Sequence, residues 1–142
     1  MGIDQPITQW LPFEVMLPAP AQGALAVQCR ADDEAVLALL RAIHHPPTWA
    51  AVSAERAFLS GLGGGCAAPV AAYAVERPGE DGGGPSLWLR GLVASLDGRQ
   101  VVRVATRGKS EAAEQLGLRL AQVALAEGAA ALLAPAPRSE AI

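Results

Sequence analysis

The chain has 142 residues, 51% of them hydrophobic and 18% charged, where an average soluble protein carries about 25% charged. That length and apolar share support a buried core and exclude a disordered tail. A net charge of -3 excludes a chain-wide basic surface, and with it nucleic acid or anionic lipid as a general partner.

Residues 1–20 hold Pro6, Pro12, Pro18 and Pro20 between short apolar pieces around Trp10, Phe13 and Leu17. No helix fits between these prolines, so the segment reads as loop and strand edges. No basic stretch precedes an apolar one, so no signal peptide is visible. Gln22 to Arg30 is a nearly continuous apolar run opened by Gly23, which predicts a strand covered on both faces. Asp32 is the expected N-cap of the next helix, with Asp33 and Glu34 in its first turn. Val36, Leu39, Leu40 and Ile43 have the spacing of one buried helical face. His44 and His45 close this helix, and Pro46-Pro47 ends it. A domain boundary is expected here, dividing the chain into residues 1–47 and 48–142.

Thr48 is the expected N-cap of a second helix with Val52, Phe58, Leu59 and Leu62 on its apolar side. It runs out at Gly61 to Gly65, where a left-handed cap forms easily. The longest uncharged run, between Arg56 and Glu76, is broken by these glycines and by Pro69, so it is no membrane helix. Val70 to Arg77 reads as a strand, and residues 78–85 as a glycine-rich surface loop. Leu87–Ala94 and Val101–Thr106 predict a hairpin around Asp97-Gly98. Leu87, Leu89 and Val93 fall on one of its faces, and Trp88, Arg90 and Leu92 on the other. Ser110 is the expected cap of a final helix with Ala113, Leu116, Leu120 and Val123 inward, ended by Gly128. The tail beyond Leu133 is expected to fray. The fold class is therefore α+β: three antiparallel strands with helices on one face, preceded by a strand-helix unit.

Few residues carry obvious chemistry. The two cysteines, Cys29 and Cys66, make no C-x-x-C pair and no zinc spacing, and a reducing, cytoplasmic setting follows. His44 and His45 are adjacent, so their side chains diverge by about 100° on a helix and do not share a metal ion. No metal site, catalytic triad or phosphate loop is predicted, and Glu55-Arg56 reads as a helix surface pair. Cys66 follows Gly63-Gly64-Gly65, which remove side-chain bulk around the sulfur. A preceding helix directs its negative end there, a poor setting for a thiolate nucleophile. A thiol that reacts once and remains a neutral thioether bears no such cost. A plain buried cysteine on a glycine-rich turn fits the residues as well.

Three ordered segments narrow this choice. Leu17-Pro18-Ala19-Pro20-Ala21-Gln22-Gly23-Ala24 resembles the L-P-A-x-G-Q-G-A stretch of the hydroxymethylbilane synthase (porphobilinogen deaminase) family. Ala54-Glu55-Arg56-Ala57-Phe58-Leu59, followed by Gly63-Gly64-Gly65-Cys66-Ala67-Ala68-Pro69-Val70, resembles that family's A-E-R-x-x-L and G-G-C-x-x-P-I motifs. Leu89 to Gly98 is similar to the hairpin that follows them.

The resemblance implies a transferase of tetrapyrrole (haem and chlorophyll) biosynthesis. Such an enzyme joins four porphobilinogen units head to tail, releasing ammonia at each step. It implies two cleft domains like the periplasmic binding proteins, and a third domain carrying dipyrromethane on a cysteine. Residues 1–47 would then be a remnant of the cleft domains, and 48–142 the cofactor-carrying domain. Cys66 would form the thioether, with Gly64 and Gly65 giving clearance, while Gln22 and Gly23 line the cleft. The family's catalytic Asp and arginine cluster would lie in a preceding portion, so this chain is expected to carry no catalytic residue and to be inactive alone. Its partners would be that N-terminal portion, porphobilinogen and the growing pyrrole chain. A non-enzymatic α+β interaction module is the alternative. Ala21 departs from the family's usual Gly, and Ala67, Ala68 and Ala71 from its usual Gln, Val and Gly.

Overall fold

The structure is a computed structural model, and it describes residues 6–65, 68–79 and 84–133. Cys66, the centre of the 78–85 loop and the tail beyond Leu133 lie outside the described residues.

Three strands form an antiparallel meander: β1 (Val70–Arg77), β2 (Ser86–Ala94) and β3 (Val101–Lys109), in the order β1-β2-β3. Val70 pairs with Val93 and Arg77 with Ser86, while Ala94 pairs with Val101 and Ser86 with Lys109. Period-two alternation sets the inner face. Leu87, Leu89 and Val93 are fully buried on β2, with Val70, Ala72 and Ala74 on β1 and Val104 on β3. The expected hairpin closes through Gly98, whose φ is 70°. Ser95 and Asp97 brace the loop, the Ser95 hydroxyl donating to Asp97 Oδ1 at 2.6 Å.

Two helices cover the inner face, α2 (Pro46–Gly61) and α3 (Ala113–Ala124). Phe58 of α2 and Leu116 and Leu120 of α3 complete the core. Phe58 lies over Gly91, where any Cβ would strike its ring. Most of the buried face of α2 is alanine (Ala50, Ala54, Ala57) rather than the expected larger residues, with Val52 only half-buried. The reason is the approach of α3: a Cβ on Gly117 would overlap the Ala54 carbonyl oxygen. On α3, Ala124 replaces the expected Val123, which is exposed, because the inward face drifts with the 3.6-residue period.

Helix ends differ from expectation by one or more residues. Asp33, not Asp32, caps α1 (Glu34–Ile43), accepting from the Val36 N–H at 3.1 Å. His45, not Thr48, caps α2; its Nδ1 accepts from the Thr48 N–H at 3.3 Å, and Pro46 and Pro47 form the first helical turn. Proline lacks the N–H that this turn would leave unpaired, so the pair opens a helix as readily as it ends one. Ser110 makes no side-chain cap bond. It opens a 3-10 turn (Ser110–Ala112), and its hydroxyl oxygen is buried with no partner among the described residues. Gly128, at φ 100°, leaves the helical backbone and breaks the helix where expected, and a last short turn of helix, α4, follows at Ala130–Leu133. The stretch Ser110–Leu133 is long and apolar enough to cross a membrane. It nevertheless sends Leu116, Leu120, Ala121 and Ala124 into the protein core.

The Gln22–Arg30 strand does not form. Among the described residues no strand pairs with this segment, and a strand without a partner cannot satisfy its backbone groups. Leu25 is 99% exposed. Helix α1 forms, but its apolar stripe is open too, with Leu39 72% and Ile43 70% exposed.

Candidate functional site around Glu55 and the glycine turn

The site is built outward from α2. Its C-terminus closes with Gly63 at φ 67°, where glycine avoids the Cβ clash. The Gly63 N–H donates to Ser60 O at 2.9 Å and the Gly64 N–H to Leu59 O at 3.1 Å. These are the paired bonds of a Schellman motif, and they use the helix's last free carbonyls. A Cβ on Gly64 would come within 2.8 Å of Leu59 Cδ1 and 3.1 Å of Ala68 Cβ. A larger residue at Gly64 would displace the tip of Leu59 and press on Ala68. Among the described residues, Gly65 has nothing within 4 Å of an added Cβ. The Ala68 N–H returns to Gly65 O at 3.0 Å, which turns the chain into β1.

One helical turn before Leu59 lies Glu55. The sequence places it on the surface, but it is 6% exposed. Its Oε1 accepts from the Ala74 N–H of β1 at 2.7 Å, and its Oε2 from the Ala21 N–H at 2.6 Å. One carboxylate thus joins α2, the sheet and the Pro18–Gly23 segment. Burial pushes the Glu55 carboxyl up from its ordinary value, against the downward pull of the two N–H donors. The sequence clue was its neighbours: Ala50, Ala54, Ala57 and Phe58 form the buried face, and Glu55 lies at its margin.

The Ala21 end is a double turn. The Gln22 N–H donates to Ala19 O at 3.1 Å, and the Ala24 N–H to Ala21 O at 3.3 Å. The third position of the first turn is Ala21, at φ 64°; that of the second is Gly23, at φ 82°. Both are left-handed positions of the kind a type II turn reserves for glycine. Ala21 holds the conformation despite its Cβ, at a cost of about 1–2 kcal/mol. Glycine there would relieve this strain but widen the unfolded ensemble by about 0.4–1 kcal/mol. Ala21→Gly is therefore expected to stabilise the chain by about 0.5–1 kcal/mol, checked by urea unfolding. Gln22 and Gly23 lie exposed on this turn.

The two halves of the expected site hang on α2 one helical turn apart, through Glu55 and Leu59. Cys66, between Gly65 and Ala68, lies outside the described residues. Two surface hollows, of about 200 and 150 Å³, flank Phe13 and Glu14 instead, and neither includes Gln22, Gly23, Gly64 or Gly65. No group of three metal-ligating side chains occurs among the described residues. His45 is committed to its capping contact, with Thr48 Oγ1 2.8 Å from Nδ1.

Residues 49–126 match the family model described as porphobilinogen deaminase, C-terminal domain. The chain belongs to the porphobilinogen deaminase family. Residues 1–38 match that family's second model, described as its dipyromethane cofactor binding domain. A curated relative, porphobilinogen deaminase of Brevibacillus brevis, is 46% identical over 128 residues, which cover 90% of this chain. The chain spans 39% of that relative's length. The three-stranded sheet with its helices is the part matched by the C-terminal model, and the double turn of Ala21 and Gly23 falls within the other match. Glu55 ties the two matched parts together, because its carboxylate bonds Ala21 from one and Ala74 from the other.

Proposed function

We propose that this chain supplies the cofactor-holding portion of a cytoplasmic porphobilinogen deaminase. In this reading Cys66 anchors dipyrromethane through a thioether. When bound, that group is the primer on which four porphobilinogen units are joined head to tail with loss of ammonia. The observation that carries the reading is the glycine turn after α2. Gly64 packs against Leu59, and among the described residues nothing lies within 4 Å of a Cβ built on Gly65, the residue that precedes Cys66 in sequence. Open space beside Gly65 is what a bulky group carried by the next residue would need.

The residues of this chain hold and orient. The Schellman cap fixes the path of Gly63 and Gly64 at the end of α2. The Glu55 carboxylate holds the Gln22–Gly23 turn against the same helix, presenting an amide side chain and a bare backbone to the pyrrole chain. The acetate and propionate groups need paired cations when buried. No Lys or Arg lies between Arg56 and Arg77. Those cations, with the catalytic Asp, would come from the N-terminal portion that this chain does not span.

Mass spectrometry of the chain produced together with that portion tests the anchor. The expected result is a dipyrromethane adduct that persists in Cys29→Ala and is lost in Cys66→Ala. An adduct surviving Cys66→Ala would overturn the assignment. Incubated alone with porphobilinogen, the chain is expected to form no linear tetrapyrrole, and steady product formation would show that it carries the catalytic groups itself.

A further inference from the structure

The two edges of the sheet are treated differently. On β1, three of the four residues facing away from β2 have partnered N–H groups. Val70 donates to Ala68 O at 2.7 Å and Ala72 to Pro18 O at 3.0 Å, and Ala74 donates to Glu55. This edge is occupied from Val70 to Ala74. The register then decides the other edge. Because Ala72 and Ala74 face away from β2, Tyr73 and Val75 bond to Arg90 and Trp88. Leu89, Gly91 and Val93 therefore face β3 and pair with Thr106, Val104 and Val102. The alternate residues Val101, Arg103, Ala105, Arg107 and Lys109 direct their backbone groups outward. All five are exposed, and among the described residues no strand lies beyond β3.

The side chains of these residues rise on the sheet face opposite the helices. There Arg103, Arg107 and Lys109 join Arg77 and Arg90, so five of the chain's 11 cations share one face of a protein whose net charge is -3. Arg90 is paired with Glu14 at 2.6 Å. Arg77 and Arg107 lie 5.0 and 5.9 Å from the Trp88 ring, which orients both guanidiniums.

We propose that the open β3 edge receives an extended acidic segment of a partner protein. Such a segment would add a fourth strand through backbone hydrogen bonds, and its alternate carboxylates would lie beside Arg103, Arg107 and Lys109. A second copy of this chain is a poorer occupant, because antiparallel pairing of two β3 strands sets these cations against one another. Single-stranded nucleic acid fits less well too, since the Trp88 ring is already covered by Arg77 and offers no free stacking platform.

The test uses the whole chain and a nine-residue peptide of alternating Thr and Glu, matched in length to the nine residues of β3. The expected result is saturable binding with slowed amide exchange at Val101, Arg103, Ala105, Arg107 and Lys109, read by NMR. Arg103→Glu with Arg107→Glu should weaken binding roughly tenfold or more. Ala105→Pro removes one outward N–H, keeps every charge and is tolerated on an edge, and it should also weaken binding. Circular dichroism confirms that each variant folds. Four results would overturn the proposal. One is no binding, which leaves the cations as a guard against edge pairing. The second is equal binding by a Thr–Lys peptide. The third is equal binding by a backbone N-methylated Thr–Glu peptide, which points to charge without strand addition. The fourth is tighter binding by an oligonucleotide of the same length.

Discussion

Replacing Glu55 with leucine should destabilise the chain by about 2–3 kcal/mol, read as a lower urea midpoint. The change keeps most of the side-chain volume but removes both acceptors. It leaves the buried Ala74 N–H without a partner and releases the Ala21 N–H, and an unsatisfied buried donor costs about 1–3 kcal/mol. Relief of the carboxylate's own desolvation offsets part of this. Amide exchange at Ala21 should quicken in the same variant, because the Gln22–Gly23 turn loses its tether to α2. If stability and Ala21 exchange were both unchanged, Glu55 would not be the clasp described above.

The same residue predicts a pH dependence with a definite sign. Burial raises the folded-state titration of Glu55 above its ordinary value of 4.5. The folded chain therefore binds this proton more tightly than the unfolded chain. The resulting stabilisation is complete below pH 4.5 and is lost as the pH rises through the raised value. Glu55→Gln cannot titrate, so its stability should lack this decline with rising pH. Its amide also accepts at one atom only, so at low pH it should be less stable than the unaltered chain.

Gly117→Ala should cost about 3 kcal/mol or more, at the upper end for overpacking a core. The added methyl overlaps the Ala54 carbonyl oxygen and comes within 2.7 Å of Ala57 Cβ and 2.9 Å of Phe58 N. Two of these three obstacles are backbone atoms, so no rotamer change relieves them, and α3 must move off α2. Gly65→Ala is the matched control. Among the described residues nothing lies within 4 Å of its added methyl, and unfolding should be nearly unchanged. A substantial loss of stability in Gly65→Ala would mean that the space beside Gly65 is filled by protein rather than open. The proposed anchor would then lose its support.

Much of the fold was legible in the sequence, and the reasons are local. Val70–Arg77 stands where its alternation placed it, and the hairpin turns at Asp97-Gly98 because glycine tolerates the left-handed backbone there. The glycines after α2 announced its cap. Asp32 and Asp33 cap equally well by type, and one hydrogen bond decides for Asp33; at α2 the helix starts earlier because Pro46-Pro47 opens it rather than ending the one before. The site was legible only in part. Gln22, Gly23, Gly64 and Gly65 stood out as motif residues, but Glu55 passed for a surface charge. Its acceptors meet N–H groups 34 and 19 residues away, and no local pattern reports such separations.

By itself the sequence determined the family, the α+β class, the strand periodicity and the cysteine set among glycines, since each rests on residue type and near-neighbour spacing. Only the tertiary structure decided which apolar faces are covered. Leu39 and Ile43 have the periodicity of a buried stripe but stay exposed, whereas alanines and Gly117 build the tightest contact because helix approach distance, not hydrophobicity, governs it. Tertiary structure also decided the arrangement of charge. A net of -3 excludes a basic surface only on average, and the pleat of one sheet gathers Arg77, Arg90, Arg103, Arg107 and Lys109 onto a single face.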